Sequence, residues 1–500
     1  MDILTEVWNF IIDNKTASII TLLSFILAVI AFFKKPKIVK EFIKETTKII
    51  KKTKKVIFPT AEDWFDYGVK AEKQNNRKKA IKCYKKAIEL KPDFAEAIKN
   101  LGYIFYSETK YDEAIIYFLK IVTCKQYEYI VYHLGRAHYF LKNYDEAMTY
   151  LDKAINYYHN IINEYQKQMI NDNNEKDVIK ESKYWLAGAY YYKGLLYYYH
   201  NSDFKQTLLC FQNAVKNDDN YAEVYCWIGY LYYYEIFDFD KSEKNYLKSV
   251  ECGDFNAYAN YHLGLLYYDD KYWFDDRVEN KNINKKILEK FKKTAELKYD
   301  KEKAIQHYKK AIELKSDYVE AYERLGNVYY NDKNKAIPLL DKAIELGYNY
   351  AYNTMGLVYF TNANCNGDYD KALEYYSEYI RREQDNLDNK IYFEIGRVYF
   401  EKGLYYSNVH YDEAIVYFQK SIDRKERKCS NAYYYMGLAF INKSLVNSKD
   451  SKIGIRHIQR AAELGFSEAQ DFLNDSENKK LISNAETAEV EQHIIYTLIK

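Results

Sequence analysis

Residues 64–102 read WFDYGVKAEKQNNRKKAIKCYKKAIELKPDFAEAIKNLG, and the spacing of small and large residues in this stretch decides the fold. Gly68 is followed by Ala80, Tyr84 and Ala87, and the next copy of the pattern opens at Gly102. The two glycines are 34 residues apart. A period of about 20–50 residues is the signature of a repeat array and not of one globular core.

Ten glycines open copies of this pattern. They are Gly68, Gly102, Gly135, Gly194, Gly229, Gly264, Gly326, Gly356, Gly396 and Gly437. In a second segment after each glycine, a small residue precedes a large one by four positions, which places both on one face of a helix. The large residues are Tyr84, Phe118, Leu151, Phe211, Tyr246, Tyr308, Leu340, Tyr376, Phe418 and Ile458. Glycine within a helix costs about 1 kcal/mol relative to alanine, so its recurrence predicts that two helices approach closely in every copy.

The pattern closely resembles the tetratricopeptide repeat over residues 61–465. The residues that carry the resemblance in the first copy are Trp64, Gly68, Ala80, Tyr84, Ala87 and Pro92. The resemblance implies an all-α fold, a right-handed α-solenoid of about ten helix–turn–helix repeats with a concave groove. Two copies end in AIELG at 343–347 and AAELG at 461–465, and these endings resemble the related Sel1-like repeat.

Three copies depart from the regular spacing. A longer helical stretch is predicted through 155–185, broken by the polar residues 171–174. The segment 269–300 contains a second-helix lookalike with Ile287, Phe291 and Thr294, which is either an unpaired helix or an extra hairpin. The seventh copy is shortened, so we expect Pro338 in the first turn of its second helix, where the missing N–H costs little.

The amino-terminal residues predict a membrane anchor. Residues 16–33 are eighteen consecutive uncharged, mostly apolar residues, which as a helix would span about 27 Å. A cleaved signal peptide fits less well because the leader is acidic, and a buried core helix fits less well because no amphipathic pattern is present. Lys34, Lys35 and Lys37 follow the span, so the positive-inside rule places the repeat body in the cytoplasm.

The last residues, 475–500, begin polar and end with apolar residues at a spacing of four. This pattern predicts an amphipathic helix, either as a cap on the last repeat or as a free tail. The chain therefore divides into residues 1–33 with a single transmembrane helix at 16–33, a Lys-rich juxtamembrane linker at 34–60, a repeat array at 61–474 and a tail or capping helix at 475–500.

The net charge of the repeat body and the absence of catalytic motifs argue against several classes of function. The formal net charge is +2, to which residues 34–55 contribute +8 and residues 1–33 contribute −2, so residues 56–500 carry −4. Such a body lacks the basic character of a nucleic-acid binder, although aromatic stacking on a single strand is an alternative. The sequence contains no HExxH, GxxxxGK[ST] or GxSxG motif and no CxxC pair among its seven cysteines. We therefore predict no enzyme activity, no cofactor, no metal site and no nucleic-acid partner.

The residue four positions after each repeat glycine is the predicted contact surface. In the resemblance, this position faces the concave groove, and eight of the ten residues are aromatic. The predicted partner-binding residues are Tyr106, Tyr139, Tyr198, Tyr233, Tyr268, Tyr330, Phe360 and Phe400. Aromatic side chains are enriched at binding hot spots, so we predict a membrane-anchored scaffold that binds proteins or peptides. One alternative is that these rings only pack the repeats together, and another is an adaptor or receptor for assembly or import of client proteins.

Overall fold

The computed structural model of the protein describes residues 59–167, 173–253, 256–268, 299–383, 390–423, 429–443 and 448–487, and the single residue Lys44. Within these ranges the regular structure is helical, with 22 α-helices and no strand. No helix in the same ranges is long and apolar enough to cross a membrane. The predicted transmembrane helix at 16–33, nearly all of the linker at 34–60 and the second-helix lookalike at 287–294 lie outside the described residues.

The chain forms two compact units, Met1–Asp219 and Asn220–Lys500. The described part of the first unit contains eight α-helices, which pack as four consecutive antiparallel pairs. Their bounds are α1 Ala61–Lys73, α2 Arg77–Leu90, α3 Ala95–Ser107, α4 Tyr111–Leu119, α5 Ile130–Phe140, α6 Tyr144–Lys167, α7 Asn173–Leu196 and α8 Phe204–Asn217.

The described part of the second unit contains fourteen α-helices, of which the first twelve pack as six pairs. Their bounds are α9 Ala222–Leu231, α10 Phe239–Cys252, α11 Asn256–Tyr267, α12 Lys301–Leu314, α13 Val319–Val328, α14 Lys333–Glu345, α15 Tyr350–Thr361, α16 Asn366–Arg382, α17 Lys390–Tyr405, α18 His410–Asp423, α19 Ser430–Lys443, α20 Ser448–Glu463, α21 Ser467–Asn474 and α22 Ser476–Thr487. The last two helices pack against α20, at the end of the sixth pair.

Each repeat glycine lies in the first helix of a pair, against the large residue of the second helix. A methyl group on Gly68 would lie 2.5 Å from Cε1 of Tyr84, and one on Gly264 would lie 2.5 Å from Cε1 of Tyr308. The same pairing holds in all ten copies, and in the last pair Gly437 also meets the backbone of Gly454. The predicted close approach of two helices is confirmed, because only a hydrogen leaves room for the buried ring or branched side chain.

The turn between the paired helices has a regular geometry in the first three copies. Asn75, Thr109 and Lys142 each follow their glycine by seven residues and adopt a positive φ of 56–62°. In the fourth and fifth copies the residue with positive φ follows its glycine by eight positions, and the extra residue is absorbed by a π-helical turn. These turns are Tyr197–Asn201 and Tyr232–Ile236. A one-residue insertion thus changes the end of the first helix and leaves the helix pairing intact.

The described helices around two irregular segments pack in an ordinary way. The long helical stretch predicted at 155–185 is divided between α6 and α7, which contain 24 residues each and pack against each other. Gly264 in α11 packs against Tyr308 in α12, so residues 269–298 are an insertion between the two helices of one pair. The position predicted for Pro338 is wrong, because Asp332 caps α14 by accepting from the Lys335 N–H, which places the proline in the second turn.

Two buried tyrosines at equivalent positions differ in their hydrogen bonding, which leads to a prediction. The Tyr84 hydroxyl donates to the Glu72 carboxylate and accepts from Asn100 Nδ2, whereas the Tyr376 hydroxyl is buried with no partner among the described residues. We expect Tyr84→Phe to lower the free energy of unfolding by about 1 kcal/mol and Tyr376→Phe to leave it unchanged or raise it.

Urea unfolding of the two variants, followed by circular dichroism, measures this difference. Phenylalanine already occupies the equivalent position in three copies, as Phe118, Phe211 and Phe418. Both substitutions therefore introduce a side chain that this position of the repeat accommodates. Equal losses of stability in the two variants would contradict the prediction.

Candidate functional site

None of the eight aromatic residues predicted as the contact surface is fully exposed. Tyr233, Phe360 and Phe400 are buried, and the other five are half-buried. Several rings lie against a ring at the start of their own second helix. Their ring centroids are separated by 5.4 Å for Tyr106 and Tyr111, 5.4 Å for Tyr233 and Phe239, 5.7 Å for Tyr198 and Phe204, and 5.7 Å for Phe400 and Tyr411. This position therefore contributes to packing within the repeat in both units.

The remaining positions of the set have different surroundings. Tyr268 lies 5.6 Å from the Tyr299 ring, and Tyr330 packs at the edge of the core formed by α14 to α17. Tyr139 reaches the next repeat, where its ring lies 5.4 Å from Tyr192 in α7. The structure thus distributes the eight residues over both units, and it brings Tyr106 and Tyr139 to a common aromatic region on α3, α5 and α7.

The centre of that region is an arginine, Arg136 in α5. Four rings surround its guanidinium, and we call this group the Arg136 cluster: the distances from Cζ to the ring centroids are 4.8 Å for Tyr192, 5.6 Å for Tyr132, 5.7 Å for Tyr106 and 5.9 Å for Phe140. Arrangements of this kind stabilise a cation through the negative faces of the rings. Phe140 is 41% exposed, and neighbouring Tyr184 in α7 is 58% exposed, so the region reaches solvent.

The groups that face Arg136 carry no negative charge at neutral pH. They are the hydroxyls of Tyr106, Tyr132 and Tyr192, and burial raises the pKa of the Tyr106 and Tyr132 hydroxyls well above the ordinary range. His133 lies one helical turn before Arg136, and burial followed by the arginine charge lowers the pKa of its imidazole to about 3. Its ring is neutral, and the buried Nε of Arg136 has no hydrogen-bond partner among the described residues.

The second unit contains an arginine in the equivalent place. Arg397 follows Gly396 as Arg136 follows Gly135, and its guanidinium lies 5.0 Å from the Phe360 centroid and 6.0 Å from that of Tyr435. The difference is an ion pair, because Nη1 of Arg397 lies 3.3 Å from Oε2 of Glu394. Both arginines thus lie among aromatic rings. Arg397 in the second unit is paired with a carboxylate, whereas Arg136 in the first unit has only neutral groups around it.

A further buried charge in the second unit is structural. The Glu323 side chain is fully buried, its Oε1 accepts from Thr354 Oγ1 at 2.6 Å, and its Oε2 lies 3.5 Å from Nε of Arg324. Burial raises the pKa of Glu323, and the adjacent arginine opposes that shift. The Thr354–Glu323 hydrogen bond links α15 to α13 in the interior, where a partner protein has no access.

The sequence prediction missed Arg136, Tyr132, Phe140 and Tyr192. A signal was present, since arginine directly follows the repeat glycine only in the third and ninth copies. Within the described ranges no group of three or more His, Cys, Asp or Glu side chains could hold a metal ion. All seven cysteines are unpaired thiols.

Comparison with protein-family models identifies the repeat type. The model described as TPR repeat matches residues 73–108 and 300–333, and the model described as Tetratricopeptide repeat matches residues 129–158. The chain contains tetratricopeptide repeats. The resemblance in the sequence is confirmed to this extent, and the repeats form a scaffold suited to protein–protein interaction. The Sel1-like character of two copies stays a prediction.

Three solved structures are similar to this chain at low identity and low TM-score. The yeast Tom70 crystal structure is 16% identical, with 86% of this chain and 96% of that chain covered and a TM-score of 0.31. The TPR domain of P58(IPK) is 14% identical, with 85% and 97% covered and a TM-score of 0.31. The human IFIT1 dimer with m7Gppp-AAAA is 14% identical, with 78% and 83% covered and a TM-score of 0.37. A search of the curated proteins found no match.

Proposed function

We propose that the protein is a membrane-anchored scaffold that binds partner proteins through the aromatic region on α3, α5 and α7. The observation that carries the proposal is the Arg136 cluster, in which a cation meets four rings, one of them the exposed ring of Phe140, and in which Tyr132 interacts with the exposed Tyr184. Aromatic and arginine side chains dominate the energetics of protein interfaces. The proposed role is binding without catalysis.

A protein or peptide fits this region better than a nucleic acid. Sites for single-stranded nucleic acid combine stacking rings with several basic residues that follow the phosphates, and the Arg136 cluster contains one cation. The half-buried residues Tyr106 and Tyr139 belong to the same aromatic region. In this proposal they support the contact surface and form part of it. In this proposal the buried Tyr233, Phe360 and Phe400 serve mainly to pack the repeats.

The membrane part of the proposal rests on the amino-terminal sequence. The apolar segment 16–33 and the lysines that follow it favour a single span with the repeats on the cytoplasmic side. Such an anchor would raise the local concentration of the scaffold at one membrane, so that partners gathered by the repeats meet there.

Site-specific photo-crosslinking in intact cells tests the function. A photoreactive phenylalanine analogue at Tyr184 should crosslink to a discrete protein in the membrane fraction, and Phe140→Ala should reduce that product at least fivefold. The analogue at Ile116, which is 56% exposed on the second helix α4, is the matched control and should give no such product. Equal products at both positions, or a chain that washes off the membrane, would contradict the proposal.

A further inference from the structure

The third and ninth repeats contain the same arrangement of one arginine and two rings, in different units. In each, the arginine directly after the repeat glycine contacts the ring four positions after the preceding repeat glycine, which is Tyr106 or Phe360. On the other side it contacts the ring two positions before the following repeat glycine, which is Tyr192 or Tyr435. The ninth repeat is therefore an internal reference for the third.

The two repeats differ at the positions that carry negative charge. Glu394, two residues before Gly396, forms the ion pair with Arg397, and Glu401, five residues after that glycine, also interacts with the Arg397 charge. At the equivalent positions around Gly135 the chain has His133 and Phe140. Both carboxylates that accompany the arginine in the ninth repeat are thus replaced by uncharged rings in the third.

We propose that Arg136 binds the side-chain carboxylate of an aspartate or glutamate in a partner peptide, which supplies the counter-charge that Glu394 supplies to Arg397. This inference rests on the proposed function of the same surface and names the chemistry of its partner. The occupant is a peptide segment with one acidic residue next to an apolar one, because the exposed ring of Phe140 lies 5.9 Å from Cζ of Arg136 and the exposed Tyr184 interacts with Tyr132 of the same cluster.

The energetic reason is the state of the guanidinium in the free protein. Arg136 is half-buried, and its buried Nε makes no hydrogen bond within the described residues. Cation–π contacts and hydrogen bonds to the Tyr132 and Tyr192 hydroxyls offset part of the lost hydration, but these partners are neutral and Nε has no acceptor. A carboxylate accepts two parallel N–H bonds from arginine, and such charge-assisted bonds are stronger than those between neutral groups.

A double-mutant cycle between protein and peptide tests the assignment. Phage display of random decapeptides on the full-length detergent-purified protein supplies the probe, and the strongest binder is synthesised with an amidated carboxyl terminus. We expect the selected peptides to share an Asp or Glu. Exchange of that residue for Asn or Gln should raise Kd at least tenfold, Arg136→Met should do the same, and the two changes together should cost no more than either alone.

Arg397→Met is the matched control, because that arginine lies in the second unit and is already paired with Glu394. It should leave the Kd of the peptide within twofold of wild type. Selected peptides without an acidic residue, or additive losses in the cycle, would overturn the assignment to Arg136. If such peptides still lose affinity in Phe140→Ala, the proposed binding surface stands and only the carboxylate chemistry fails.

Discussion

Replacing Gly356 with alanine is expected to lower the free energy of unfolding of the second unit by about 1–2 kcal/mol. The added methyl group would lie 2.5 Å from Cε1 and 2.6 Å from Cδ1 of Tyr376, whose side chain is fully buried between α15 and α16. A ring without free space cannot turn away, so the helices must separate, and overpacking of this kind costs about 1–3 kcal/mol or more. The gain of about 1 kcal/mol in helix propensity from alanine offsets only part of that cost.

Gly367 provides the matched control in the same repeat. It lies in the first turn of α16, where an added methyl group would meet only Sγ of Cys365, at 3.8 Å. Gly367→Ala should therefore raise stability by about 0.5–1 kcal/mol through helix propensity alone. Urea titration of both variants by circular dichroism separates the two effects. If both variants change stability in the same direction, the glycine in α15 is not required for helix contact.

Replacing Arg324 with methionine is expected to lower the free energy of unfolding by about 3–5 kcal/mol. Methionine keeps much of the volume and removes the charge beside Glu323, which is fully buried and whose other oxygen is held by Thr354. A buried carboxylate without a counter-charge destabilises the folded state by about 3–5 kcal/mol, which is more than an intact buried ion pair stabilises it. The effect should be visible as a large shift of the urea midpoint.

The pH dependence of the same variant checks the mechanism. Burial raises the pKa of the Glu323 carboxyl in the folded state above its value in the unfolded state. Between these two pKa values, the folded state binds more protons at Glu323 than the unfolded state does. Stability therefore falls as pH rises through this range, and the loss in Arg324→Met should be larger at pH 8 than at pH 5. Adding Glu323→Gln, which keeps an acceptor for Thr354, should restore most of the stability. A loss that is independent of pH would point to packing and not to charge.

The helix pairing was predictable from the sequence because it depends on a local and periodic constraint. A glycine on one helix and a large residue on the next must recur wherever two helices cross closely, so Gly68 and Tyr84 identify the contact without any structure. Asp112 and Glu113 lie in the first turn of α4, where acidic side chains favour the positive end of the helix dipole, which is also a local effect.

The geometry of the turns was predictable in principle and was missed. The distance from the repeat glycine to the small residue of the second helix is twelve positions for Gly135 and Ala147, and thirteen for Gly194 and Thr207. The additional residue appears as a π-helical turn ahead of Ser202, which takes the left-handed conformation. The position of Pro338 was mispredicted because the helix start depends on which residue caps it, and Asp332 supplies that cap.

Repeat number, helix order and the residues at each helix crossing are properties of the amino-acid pattern, because each depends on neighbours within one repeat period. The set of rings around Arg136 is not such a property. The rings of Tyr106, Tyr132 and Tyr192 come from three repeats, and only the packing of those repeats brings them to one guanidinium. The eight predicted partner-binding residues likewise divide into buried and half-buried rings. Their exposure depends on the stacking of neighbouring repeats and not on residue type.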